Sequence, residues 1–396
     1  MTKKLQMIFL LLFGYTIVFI DKTIIGFALI PIEKQFSLST EQLGYISGLF
    51  FLSYSLFQIP AGWLNDRIGY KKMVIASLSL LGLFAFMFGI LGVSFGLLLL
   101  FRFLSGIGHS GYPASCAKAV VSNFSIEHRT FAQSILLSSS GLAMTTGPII
   151  AVYAMNNLGW QISFSGLGLI ACATALLIFL IIPRQSVVPQ KENIQQWNCI
   201  FKYKAVIWLF ISVFFVNIPN YGMLAWLPKF LVQHLNMPIQ TSGYVIAAGG
   251  LGIWISSLLT GWLVGKYFSG KEVAVIVTCA SISSVCIFCI FHMTSPLGAT
   301  VFLFIGQVFL MSTFVTVFTL PMKQLPENII GSTMGFINTG GTLGGFVSPV
   351  VIGYLVSMTD SYYSAFIFLT IAMLFSGLAP LPLLRKTHVI TTPSVN

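Results

Sequence analysis

The sequence predicts an all-α polytopic membrane protein, with twelve transmembrane helices in two pseudo-symmetric six-helix bundles. Three observations carry this. Only 7% of the 396 residues are charged and 56% are hydrophobic, whereas a soluble domain carries about 25% charged residues. Apolar runs of roughly 20 residues recur along the whole length, with the few charges gathered in the gaps, as helical membrane spans require. The second half also repeats landmarks of the first. The scarcity of polar residues excludes disorder, the runs are too long for barrel strands, and six scattered Cys do not make a disulfide scaffold.

The spans follow one another with short gaps. Hydropathy places the first six near 6–31, 42–65, 72–92, 95–123, 130–155 and 160–183. The first has no small-residue cleavage site and is expected to be retained. Span four contains Gly111 and Pro113, which can kink it. The longest polar stretch, RQSVVPQKENIQQWNCIFKYK, then covers 184–204. It is expected to be a cytoplasmic linker between an N-terminal bundle (1–183) and a C-terminal bundle (205–396). The remaining spans are placed near 205–232, 241–265, 272–293, 296–322, 331–357 and 361–384.

Charge placement sets the expected orientation and answers why a net charge of +11 does not point to nucleic acid. With Lys3 and Lys4 inside, the same side gains Arg67, Lys71, Lys72, Arg129, Arg184, Lys191, Lys202, Lys204, Lys266, Lys271, Lys323, Arg385 and Lys386. Outside are Lys34 and Lys229. Fifteen against two is a strong positive-inside bias, so both termini are expected in the cytoplasm.

The halves align at an offset of about 199 residues. Gly62-Trp63-Leu64 recurs as Gly261-Trp262-Leu263, Gly141 and Pro148 recur as Gly340 and Pro349, and Asp21-Lys22 faces Asn220-Tyr221. Gly108-His109 similarly faces Gly306-Gln307. Such parallel repeats are common in secondary transporters.

Between spans two and three stands GWLNDRIGYKK, Gly62 to Lys72. It resembles the signature loop of the major facilitator superfamily, and the resemblance runs over essentially the full chain. It implies the major facilitator fold and a conformational latch built from Gly62, Asp66, Arg67 and Gly69. The C-half copy, GWLVGKYFSGK, has lost the Asp-Arg pair. Physically, Asp66 and Arg67 can pair across a helix end, while Lys71 and Lys72 can anchor on anionic headgroups or serve topology alone.

Substrate chemistry is expected from ionisable residues inside the spans, where burial is costly. Asp21 is the one acid deep in a span; Lys22, Arg102 and Lys118 are embedded cations, and His109 is a titratable neutral partner. The C-half offers neutral groups instead: Asn220, Tyr221, Gln307 and Asn338. Embedded cations exceed the embedded acid, so the expected ligand is an anion, with Arg102 able to grip a carboxylate or phosphate bidentately. A purely structural role for Asp21 and Arg102, pairing spans one and four, stays open. Arg102 and His109 are seven apart and share a helix face, whereas Lys118 is rotated away, with snorkelling to headgroups as its alternative.

Within the superfamily, Phe19 to Gly69, Arg102 to Arg129, Asn220 to Leu231 and Gly331 to Leu355 resemble the anion:cation symporters, which take up sugar acids and related carboxylates with protons. The resemblance implies proton binding at Asp21, joined by His109, and substrate contacts from Lys22, Tyr54, Arg102 and Asn338. Tyr54, Asn220, Tyr221, Gln307 and Asn338 would orient substrate hydroxyls, or else join helices. Two positions depart from that family: His109 stands where sugar-acid transporters usually carry a second proton-binding Glu, and Phe318 lies near where a Trp is usual. GHSGYP also echoes the organophosphate antiporters.

The expected function is proton-coupled symport of a small organic anion by alternating access, in a bacterial inner membrane and as a monomer. The rival is a proton-driven antiporter exporting a metabolite, drug or amphiphile. An intramembrane enzyme is disfavoured, because no nucleophile motif is present and the embedded acid lies beside a Lys. No cofactor and no metal are expected: Cys286 and Cys289 lie in an apolar span, and Cys116, Cys172, Cys199 and Cys279 lack metal spacing. Gly340 with Gly344 and Gly341 with Gly345 are read as close-packing faces. Phe50, Phe51, Trp226 and Trp262 are read mainly as lipid or interface anchors, with Trp226 as the exception to test.

Overall fold

The computed structural model describes residues 2–183, 203–324 and 327–386. Almost all of the expected linker, and the chain end after Lys386, lie outside the described residues. The first half contains α1 (Thr2–Phe36), α2 (Thr40–Ile68), α3 (Tyr70–Leu91), α4 (Phe95–Ser110), α5 (Tyr112–Asn123) and α6 (Ile126–Ile181). The second contains α7 (Lys204–Lys229), α8 (Ile239–Tyr267), α9 (Glu272–His292), α10 (Pro296–Gln324), α11 (Glu327–Thr359) and α12 (Tyr362–Leu378). Among the described residues, ten helical stretches are long and apolar enough to cross a membrane.

Two local breaks relate this list to the twelve expected spans. Span four is not one kinked helix: α4 stops at Gly111, and α5 restarts with a proline in its first turn. Spans five and six are a single stretch, α6, turned by Gly159 alone at φ 76° and ψ 168°. Joining the first pair and dividing the second is consistent with twelve crossings. Prolines inside α2, α6, α7, α10 and α11 are tolerated because neighbouring helices re-satisfy freed backbone groups.

Tight turns reverse the chain at both faces. Ser39 caps α2 through a capping box with Gln42. At the other end of α2, Gly69 alone separates it from α3, at φ 86° and ψ 156°. That backbone region is essentially restricted to glycine, so Gly69 has a conformational reason to be glycine. Gly69→Val is expected to cost about 1–3 kcal/mol, read as a lower thermal midpoint of the detergent-purified protein.

Among the described residues the bundles meet chiefly along α1 with α7, α2 with α11, and α6 with α8. The repeat makes the last two equivalent, because α2 corresponds to α8 and the first part of α6 corresponds to α11. The seam runs from the face opposite the N-terminus to the mid-depth of the bundle. Near that far face Glu33 accepts from Lys229 at 2.6 Å and from Gln233 at 3.2 Å, while Gly44 lies against the Pro349 carbonyl. At mid-depth the Phe51 and Tyr221 rings meet at 4.3 Å. The small residues of α11 pack as the sequence suggests, Gly340 on Phe210 and Gly344 on the Phe214 carbonyl, within their own half. Gly345 instead touches Phe51 of the other half.

Candidate functional site

The charged residues of α1 and α4 converge at mid-depth. Asp21 and His109 are each 0% exposed, Arg102 is 2% and Lys22 4%. One carboxylate oxygen, Asp21 Oδ2, accepts from Arg102 Nη1 at 3.4 Å and faces His109 Nε2 at 3.2 Å. The seven-residue spacing of Arg102 and His109 brings both to the same oxygen, as two turns of one helix require. Gly106, midway between them, lies against Ser53 and the Phe50 carbonyl, so any larger residue would hold α4 away from α2.

Polar capacity is left over at this cluster. Asp21 Oδ1, Arg102 Nε and Nη2, and His109 Nδ1 have no hydrogen-bond partner among the described residues. Arg102 therefore presents an unused fork edge, the geometry that suits a carboxylate or phosphate. Lys22 points differently from its neighbour Asp21, because consecutive helix residues are about 100° apart. Its ammonium lies over the Phe19 ring at 5.0 Å and the Tyr54 ring at 4.7 Å, held by cation–π attraction.

Aromatic residues form the rest of the wall, and here two expectations change. Phe50 and Phe51, read from sequence as lipid or interface anchors, are 0% and 3% exposed. The Phe50 ring lies 4.6 Å from the Arg102 guanidinium and 4.5 Å from the His109 ring, edge to face. Its i, i+4 spacing from Tyr54 was the available signal. Trp226 is also buried, with Nε1 donating to the Pro349 carbonyl at 3.1 Å, while Trp262 is exposed as an anchor should be.

The second half supplies neutral groups. Asn220 donates to Asn217 at 3.3 Å, and Asn217, missed in the sequence, is itself buried and tied to the Val213 carbonyl. Asn220 and Gln307 line one small cavity of about 30 Å³ with Met144 of the first half. The Gln307 Oε1 has no partner among the described residues. The Tyr221 ring meets that of Phe51 across the seam, tilted by 46°. Asn338 is half-buried on α11, and among the described residues no hydrogen bond links it to the cluster.

The residues expected from sequence to form a latch lie apart from this site, at the end of α2. Among the described residues Asp66 is not paired with Arg67. Its partner is Lys118, whose Nζ donates to Asp66 Oδ1 at 2.6 Å and to the Asn65 carbonyl at 3.1 Å. Arg67 instead covers the Trp63 ring at 3.6 Å. Lys118 thus pairs with the signature loop, because the break at Gly111 resets the facing of α5. Lys71 donates to the carbonyls of Phe179 and Ile182 at the end of α6, a protein contact rather than a lipid one.

Two six-helix bundles with a buried, under-satisfied charge cluster at their shared mid-depth define a membrane transporter rather than an enzyme. The family model of the Major Facilitator Superfamily matches residues 11–349, and the chain belongs to that superfamily. It is 24% identical to a hexuronate transporter of Bacillus subtilis (strain 168), over 96% of this chain and 95% of that one. It is 25% identical to a quinolone resistance transporter of Acinetobacter baumannii, over 96% and 94%. Among solved structures it resembles a bacterial homolog of the human lysosomal transporter Spinster, in an inward-facing and unoccupied conformation. That match has a TM-score of 0.83 and 18% identity, over 96% of this chain and 97% of that one.

Proposed function

We propose that this protein is a proton-coupled symporter that takes up a small organic anion, a sugar acid or another carboxylate, by alternating access. The observation that carries the reading is the one acid buried at mid-depth among the described residues, Asp21, sharing one oxygen between Arg102 and His109. As a carboxylate, Asp21 occupies Arg102. Protonated, it releases the guanidinium to a substrate carboxylate, with Lys22 adding positive potential. Proton and anion then cross together, which lowers the net charge carried through the apolar phase. His109 shares the proton with Asp21, and Tyr54, Asn220, Tyr221, Gln307 and Asn338 orient the body of the substrate. The bundles 1–183 and 205–396 rock about the site, joined through 184–204, while Gly62, Asp66, Arg67 and Gly69 latch the cytoplasmic face.

The placement of cations supports an inner membrane location with both termini in the cytoplasm, and the protein acts as a monomer. The hexuronate relative supports the anion class. The quinolone resistance relative favours a second reading, a proton-driven antiporter that exports an amphiphilic compound through the same acid.

The test is internal pH in proteoliposomes during exposure to panels of sugar acids, other carboxylates, organophosphates and amphiphilic cations. Acidification with one class of anion, missing from protein-free vesicles, is the expected result. Silence to every anion, with proton movement provoked by amphiphiles, would overturn uptake in favour of export.

A further inference from the structure

The second copy of the signature loop has no counterpart of the latch. At the offset of 199, Gly265 stands where Asp66 does, and Lys266 and Lys271 stand where Arg67 and Lys72 do. In the first half Asp66 is neutralised by Lys118. In the second, neither Lys266 nor Lys271 is in an ion pair among the described residues. Lys266 lies over the exposed rings of Trp262 and Tyr267, at 5.0 and 5.1 Å, and Lys271 is exposed. Glu272, the next residue, is buried in the protein. Exposed Trp and Tyr beside Lys mark the depth of the lipid headgroups.

Packing differs between the halves at the same place. Tyr70 is buried between α3 and the rest of its bundle and bonds Asn123. Its counterpart is Ser269, followed by Gly270 where Lys71 stands, so the bulk of that tyrosine is gone. Beneath this turn a cleft of about 400 Å³ opens between α8 and α9, with α10 as its floor. Its walls include Leu263, Val264, Val275 and Phe309, and Lys271 stands at its mouth. The floor hydroxyls Thr260 and Ser312 bond one another, so they ask for no ligand. Ala274 and Thr278 are exposed, so the cleft opens sideways from the bundle, toward lipid. From Lys271 to Cys279 it follows α9 for ~12 Å at 1.5 Å per residue, far enough to take much of an acyl chain.

We propose that this cleft is a binding site for one anionic phospholipid, with an acyl chain between α8 and α9 and its phosphate held by Lys271 and Lys266. A slot this apolar inside a membrane span is filled by hydrocarbon, and Lys271 at its mouth, joined by Lys266 from the end of α8 just before the same turn, selects the headgroup. One Lys near an anionic surface favours it by roughly fivefold, so the pair favours it by roughly thirtyfold.

Native mass spectrometry of the detergent-purified full chain, titrated with phosphatidylglycerol and with phosphatidylcholine of identical acyl chains, tests this. The expected result is one retained phosphatidylglycerol, preferred by tens of fold. Lys271→Gln lowers that preference about fivefold, and Lys266→Gln with Lys271→Gln abolishes it while phosphatidylcholine binding stays unchanged. Ala274→Phe, which fills the slot from its open side, removes both lipids. Equal retention of the two lipids by the wild type, or a preference that survives both lysine substitutions, overturns the proposal. Displacement of the lipid by millimolar inorganic phosphate also overturns it, because the chain would then contribute nothing.

Discussion

Asp21→Asn is expected to abolish substrate-driven proton entry while leaving exchange of labelled for unlabelled substrate within a few-fold of the wild type. Asparagine keeps the shape of the acid but carries no charge, so it mimics the protonated state permanently. Arg102 is then free at every pH. In the wild type, raising the pH leaves Asp21 ionised and holding Arg102, so apparent affinity for the anion falls as pH rises. In the variant that dependence is flat. Internal pH and counterflow, measured in the same proteoliposomes, separate the two effects. Proton entry that persists in Asp21→Asn would remove Asp21 from the coupling and leave His109 as the carrier.

Arg102→Lys is expected to lose substrate exchange while keeping the fold, and Arg102→Ala to lose both. Lysine retains a charge beside Asp21 but has no fork to hold a carboxylate in two places, and no planar face to lie on Phe50. Truncating one member of a hydrogen-bonded charge pair at a binding site costs about 2–5 kcal/mol, which is thirtyfold or more in affinity. Arg102→Ala leaves a carboxylate at 0% exposure with His109 alone, and breaking a buried pair this way costs about 3–5 kcal/mol of stability. Adding Asp21→Asn removes the orphaned charge, so the double variant should recover its thermal midpoint but not its transport. Recovery of transport as well would mean that Arg102 only fastens α4 to α1.

Asp21, Arg102 and His109 were legible in the sequence because an ionisable residue in an apolar run has few reasons to be there, and because seven residues are two helical turns. The aromatic wall was not. Phe50 and Phe51 sit in a span where a phenylalanine facing lipid and one facing a guanidinium are written identically, and only packing separates them. Lys118 was read as facing away from Arg102 and His109, but not toward which partner, because Gly111 ends one helix and starts another. Its partner Asp66 lies 52 residues away, beyond any local pattern. The repeat told which helices correspond, but not which pairs meet at the seam. It did not tell that Gly159 alone would turn α6.

Phe50 and Phe51 are joined by one peptide bond, yet they belong to different neighbourhoods. The first ring leans on Arg102 and His109, and the second leans on Tyr221 and Gly345 of the other bundle. Under the proposed function, a proton or anion at the charge cluster presses on the same short stretch of α2 that meets the other bundle. Loading and closure are thus read by adjacent side chains on one rigid helix, and a message between them has almost no distance to travel.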